Sequence, residues 1–254
     1  MKRLIALVLT GLALGTLLIA TPSARASLAI PAWRPERLTH LGNAMQVLVV
    51  TADGWRSTSG TARLFERRNG QWVQELSAIP ARLGWNGLVP GRFRVQDTGT
   101  TPAGTYRLAY AFGYLPNPGT ALPYRRVSSG SWWPNDPRDP ATYNVWQMGR
   151  PLLASWQAAR AEQLIKWLPQ YDYGIAIGFN LPAGPYRYVG GETLAKEPAN
   201  LRAGGGIFIH VSSTGPTAGC VSLPAPALVK VLQLLRPSEN PQIVIGPLSA
   251  IDSL

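Results

Sequence analysis

Three observations predict a mostly β, loop-rich fold with a few helices. The chain of 254 residues contains 26 Gly and 23 Pro, the residues that turn a backbone most readily. It also carries nine Trp and nine Tyr, large aromatics that suit a pleated, half-buried surface. Short apolar runs alternate with Gly, Pro and Thr turns, and two stretches carry the period of an amphipathic helix. With 46% hydrophobic residues the chain has enough apolar side chain to fold around a sizeable core.

The elements follow in order. Lys2 and Arg3 precede the uncharged apolar run LIALVLTGLALGTLLIA at 4–20, and ARA at 24–26 offers small residues where a signal peptidase reads. A signal peptide over 1–26 is expected, with an uncleaved membrane anchor as the alternative. The apolar run is slightly short for a spanning helix. Residues 27–45 read as an extended lead-in and 46–254 as a single domain, because no linker of convincing length divides them. MQVLVVTA at 45–52 reads as a strand, and 61–76 as a hairpin turning at RNG. Residues 87–114 alternate strand-like runs with turns. SWWPNDPRDPATYN at 131–144 reads as a long aromatic loop. The first helix is expected over 151–169, between two prolines, with Leu153, Trp156, Ala159, Leu164 and Trp167 on one face. Strands are expected at 173–180, 205–212 and 242–246. A second helix is expected at 225–236, with Leu228, Val231, Leu232 and Leu235 on one stripe.

Charge narrows the choice of partner. The chain carries +11; losing residues 1–26 removes Lys2, Arg3 and Arg25 and no acidic residue, which leaves +8. An exported basic protein is attracted to anionic wall polymers or lipid headgroups, although plain solubility explains the same charge. The basic residues are scattered, and the tight pairs are Arg67–Arg68 and Arg125–Arg126. There is no basic stripe, so nucleic acid is not an expected partner. Two His and one Cys are too few for a metal site without a carboxylate cluster, and no cofactor motif is present.

The segment IFIHVSSTGPTAGCVSLP concentrates the chemistry. It holds Cys220, the sole cysteine, and His210, one of two histidines. His210 ends a predicted strand, and Cys220 follows a Gly-containing loop just ahead of the second helix. A thiol and an imidazole at the ends of neighbouring elements can converge as nucleophile and base. Gly219 would let the chain turn sharply and present N–H groups to an oxyanion, and the helix N-terminus would favour thiolate. A small buried hydrophobe and a satisfied strand-end histidine explain the spacing equally well. His40 lies outside this segment and reads as a surface residue.

The same segment resembles the active-site segment of the L,D-transpeptidase catalytic-domain family, with Thr217, Gly219, Cys220 and Val221 matching its Ser/Thr-x-Gly-Cys-Ile/Val pattern. TGTTPAGTYRL at 98–108 resembles the family's Thr-Pro-x-Gly-x-Phe/Tyr segment. The resemblance spans roughly residues 84–246. It implies a β-sandwich or barrel-like fold, Cys220 as nucleophile, His210 as base and the Gly219 and Cys220 N–H groups as oxyanion donors. The implied substrate is a peptidoglycan stem peptide, with an acyl-enzyme resolved by an amine and no cofactor. The chain departs from the family at Val211, Ala218 and Ser222, where many members carry Gly, His and Arg. Ser222 therefore stands where a donor-placing arginine is expected, and Arg125, Arg126 or Arg202 would have to supply that charge. Thr217, Ser222, Trp132 and Trp133 are the candidate substrate contacts; the two tryptophans would equally serve as a hydrophobic plug. An L,D-carboxypeptidase using water as acceptor and a catalytically silent wall-binding module are the alternatives.

Overall fold

The computed structural model describes residues 34–149 and 153–254. The expected signal peptide and the first part of the lead-in lie outside the described residues. Sixteen strands appear in chain order among those residues. The first seven are β1 Gln46–Ala52, β2 Ser59–Arg68, β3 Gln71–Gln74, β4 Ile79–Arg82, β5 Leu88–Pro90, β6 Thr101–Gly113 and β7 Tyr124–Arg126. Next come β8 Ser131–Pro134, β9 Gln147–Met148, β10 Ala161–Gln163, β11 Gly174–Ile177, β12 Tyr186–Val189 and β13 Glu192–Ala195. The last are β14 Phe208–Val211, β15 Val221–Leu223 and β16 Gln242–Pro247, with the helix α1 Ala225–Leu234 between β15 and β16.

Eight strands close on themselves. The order β1–β16–β6–β11–β14–β15–β4–β2 returns to β1 through the antiparallel β1–β2 pair. The fold is thus mostly β and barrel-like, as the composition and the resemblance predict. Alternation along the strands sorts side chains to two faces. Leu48, Leu108, Ile175, Ile177, Ile209, Val211, Val221 and Leu223 fill the main core, and α1 adds Leu228, Val231 and Leu232 to it, followed by Leu235 at its C-cap. The opposite face of β11 and β14 meets a second, aromatic core of Phe112, Trp133, Trp146, Tyr171 and Phe208, with Cys220 among them.

The hairpin forms where RNG predicts it. Asn69 and Gly70 take the positive φ values, 50° and 81°, that a two-residue turn requires. The described part of the lead-in is not loosely extended. Pro35–Arg37 makes a 3-10 turn, and Leu38, Leu41 and Ala44 pack under Val47, Val49 and Val244.

Two sequence expectations fail in the aromatic region. No α-helix forms in the described part of 151–169. That stretch breaks into the 3-10 turns Ala158–Arg160 and Leu164–Trp167 around strand β10, which pairs with β8. Its supposed apolar face does not exist: Trp156 is buried against Trp132, with ring centroids 5.4 Å apart, while Leu153 is 84% exposed. Cross-strand pairing and ring packing outweigh a modest helical period. The 131–144 stretch opens as strand β8, with both tryptophans buried, rather than as a surface loop.

Candidate active site

β14 sets one half of the site. Alternation sends Ile209 and Val211 into the main core and Phe208 and His210 to the aromatic face. Gly174 sits opposite His210 on β11, and a Cβ there would fall 2.4 Å from the Phe112 ring, so only glycine leaves that ring its place. β15 runs parallel to β14, pairing Ile209 with Val221. Cys220, one residue ahead of β15, thereby comes to the aromatic face beside Phe208. His210 and Cys220 both line one cavity of about 490 Å³.

The backbone around Cys220 is tightly braced. The Cys220 carbonyl accepts hydrogen bonds from Thr217 Oγ1 at 2.6 Å and Thr101 Oγ1 at 3.5 Å. The Thr217 hydroxyl in turn accepts the Gly219 N–H at 3.1 Å. Gly219 has φ 137°, and a Cβ would approach Thr100 O to 2.8 Å, so a side chain is excluded on two counts. The Thr217 backbone is tied to Leu83 O and to the Trp85 N–H. Its hydroxyl therefore serves the turn, although the residue also lines the cavity.

Cys220 and His210 are both buried, 8% and 4% exposed. The Cys220 thiol donates to Gly206 O at 3.3 Å and accepts the Phe208 N–H at 3.4 Å. Burial pushes its pKa up to about 12, against which the Phe208 N–H and the Arg94 charge act only partly. The N-terminus of α1 does not reach the thiol as expected, because β15 separates Cys220 from the helix. Burial likewise lowers the His210 pKa. The resting pair is thus a neutral thiol and a neutral imidazole. His210 Nδ1 lies 2.8 Å from Val211 O. A carbonyl only accepts, so Nδ1 carries the proton and Nε2 has a free lone pair.

Three cavity residues were invisible to motif reading. Arg94 is 6% exposed and gives Nε to Thr100 O at 2.9 Å and Nη1 to Ala203 O at 2.6 Å. Its Nη2 lies beside Gly219, 3.1 Å from where a Cβ would stand. It makes no ion pair among the described residues. Glu162 receives the Tyr171 hydroxyl on Oε1 at 2.6 Å, and burial raises its pKa to about 7. Tyr171 meets the His210 ring edge-on, with centroids 5.7 Å apart. Arg94 sits between turns with no recognisable spacing, and Glu162 lay inside the stretch read as a helix.

The remaining sequence candidates fall elsewhere. Ser222 shares the His210 face of the sheet, but it is buried, receives a hydrogen bond from Ser212 Oγ at 3.2 Å and does not line the cavity. Trp133 is fully buried, gives Nε1 to Asn144 Oδ1 at 2.9 Å and packs on Phe208, so it is core and not a substrate contact. Trp132 lines a neighbouring hollow. Arg125 stacks on Tyr110 at 4.0 Å, and neither it, Arg126 nor Arg202 lines the Cys220 cavity. His40 is exposed, in a separate hollow with Tyr106 and Phe179. Among the described residues no group of three or more potential metal ligands occurs, and no helix is long and apolar enough to cross a membrane.

A closed barrel with a thiol and an imidazole along one cavity is the setting of a cysteine acyl-transfer domain. The family described as the L,D-transpeptidase catalytic domain (YkuD) matches residues 58–245, a span that contains the barrel from β2 through most of β16 and both candidate residues. The chain belongs to that family, and membership carries an L,D-transpeptidase-family function, acting on peptidoglycan, in general terms. No curated protein and no solved structure matches the chain.

Proposed function

We propose that this protein is an exported L,D-transpeptidase that works through a Cys220 thioester on peptidoglycan stem peptides. The observation that carries this reading is the tautomer of His210. With Nδ1–H held by Val211 O, its lone pair at Nε2 is available on the wall of the cavity that Cys220 also lines. His210 Nε2 takes the thiol proton as Cys220 Sγ leaves Gly206 O and attacks the carbonyl of an L,D peptide bond. The C–N bond then breaks, His210 returns the proton to the leaving D-amino acid nitrogen, and the thioester remains. An acceptor amine attacks this thioester, forming the crosslink and restoring the thiol.

The Gly219 N–H is already given to Thr217, so in this reading the Cys220 N–H is the backbone oxyanion donor. Arg94 takes the place of the family arginine that Ser222 lacks. Two of its three guanidinium nitrogens are fixed by carbonyls, which aims the third without rotamer freedom to lose. A buried cation without a carboxylate partner is suited to a donor carboxylate. Export would deliver the protein to the periplasm or cell wall, where this substrate lies.

Incubation with a tetrapeptide ending in an L,D bond tests the reading by intact mass. The unmodified protein should carry the acyl group on Cys220, and Cys220→Ala should carry none. An adduct that persists in Cys220→Ala would end the proposal.

A further inference from the structure

The covalent reading above leaves one chemically capable side chain of the cavity without a task. Glu162 stands in the wall between the Cys220 cavity and a second hollow of about 760 Å³, which share Gln96, Asp97, Asn135, Glu162 and Trp167 as lining. Its two carboxyl oxygens are not equivalent. Oε1 holds the Tyr171 hydroxyl at 2.6 Å. Among the described residues Oε2 has no hydrogen-bond partner and no Lys or Arg within ion-pair distance. Oε2 also points toward the chemistry: a Cβ on Gly206 would lie 3.8 Å from it, and Gly206 O is the atom that accepts the Cys220 thiol at 3.3 Å. Asp97, the other carboxylate of the shared wall, is exposed, so water already serves it.

A sheltered carboxyl with one oxygen fixed and the other free is built to receive a cation that arrives with a ligand. Of the two substrates of an amine-transfer reaction, the acceptor is the one that arrives as an ammonium. We propose that Glu162 is the acceptor-side group of this site: Oε2 receives the primary ammonium of the incoming acceptor, removes one proton, and so favours amine over water at the thioester. This assignment rests on the Cys220 reading above.

The step balances. The ammonium gives one proton to the Glu162 carboxylate, and the freed amine attacks the thioester carbonyl. His210 Nε2 takes a second proton from the nitrogen as the C–N bond forms, and passes it to Cys220 Sγ as the C–S bond breaks. The products are the amide, the neutral thiol and a protonated Glu162, which loses its proton to water. Tyr171, by fixing Oε1, holds the carboxyl in the orientation that leaves Oε2 free.

The test measures amine product against hydrolysis product per acyl-enzyme consumed, so acylation does not enter the ratio. The donor is the L,D tetrapeptide. The acceptors are the side-chain ammonium of Nα-acetyl-lysine amide and hydroxylamine, which is uncharged near neutral pH. Glu162→Gln keeps an acceptor for Tyr171 and removes the charge. It should lower the ratio for the lysine derivative by about 10², the low end of general-base assistance, and leave the ratio for hydroxylamine in place. Asp97→Asn should move neither. Because hydroxylamine reads the same folded variant, a folding defect cannot imitate the result. Equal loss with both nucleophiles, no loss with either, or the same selective loss in Asp97→Asn overturns the assignment. Absence of any Cys220 acyl-enzyme in the unmodified protein overturns the underlying reading instead, and this assignment with it.

Discussion

At the scale of single residues, burial decides the chemistry. A thiol held up to about 12 stays protonated at neutral pH, so Cys220 should not behave as a preformed thiolate. Alkylation by iodoacetamide should be slow at pH 7 and should rise with pH well into the alkaline range. A rate that levels off near neutrality would instead mean a thiolate–imidazolium pair. In the proposed mechanism proton transfer then depends on His210. His210→Ala should lose about 10²–10⁴ in rate, the worth of general-base assistance, whereas His40→Ala should lose little; equal losses in steady-state turnover would remove His210 from the role. Glu162 makes a stability prediction of known sign. Its folded pKa of about 7 exceeds the ordinary 4.5, so the folded state binds the proton more tightly. Its contribution is full below pH 4.5 and declines as pH rises to 7. Integrated over that window the loss is at most about 3 kcal/mol, less where cavity water screens the carboxyl. Thermal melts of Glu162→Gln should therefore gain on the unmodified protein between pH 5 and 7.5. A constant difference across that range would contradict the raised pKa. At this scale the sequence was most informative where chemistry and rarity coincide: one cysteine and one nearby histidine stand out in a chain of 254. Arg94 and Glu162 stayed hidden, because an arginine among 24 basic residues and a glutamate among 13 acidic ones carry no label until the fold places them.

At the scale of elements, the site depends on a short braced turn between β14 and β15. Thr217 makes two hydrogen bonds within that turn, to the Cys220 carbonyl and from the Gly219 N–H. Thr217→Val keeps the shape and removes both. It should cost about 1–3 kcal/mol, the penalty for unsatisfied buried groups, and lower turnover by displacing Cys220. Thr217→Ser should restore most of both. If Val and Ser behave alike in denaturant melts and turnover, the hydroxyl does not brace the turn. Strands with clear alternation and the hairpin at RNG were legible from sequence. The barrel's closure was not, since one of its links, β15 to β4, is the single registered pair Ser222–Arg82, which leaves no local trace. The helix expected over 151–169 fails for a related reason. β10 finds its partner in β8, 27–31 residues upstream, and Trp156 finds Trp132. Periodicity reads neighbours along the chain, whereas this region is shaped by partners across it.

At the scale of the whole molecule, export and charge belong together. If the leader is removed after Ala26, the secreted protein begins at Ser27 and carries +8; N-terminal sequencing that returns residues 1–26 intact would refute this. The charge that remains is dispersed. Arg56, Arg67, Arg92, Arg107, Arg126, Arg187 and Arg202 are exposed on separate turns and strands. Dispersed exposed charges attract an anionic polymer through many weak, solvent-screened contacts and fix no register. Screening shortens from about 10 Å at 0.1 M salt to about 3 Å at 1 M. Sedimentation with purified anionic wall polymer should therefore retain the protein at low salt and release it steeply as salt rises. Turnover of a short soluble stem peptide should change far less over the same range, because in the proposed reading its carboxylate meets the buried Arg94 and not the dispersed surface charges. Retention that survives 1 M salt would mean a structured polymer site that dispersed charge cannot explain. Turnover that falls in step with retention would mean that the surface field, and not the cavity, gathers the substrate.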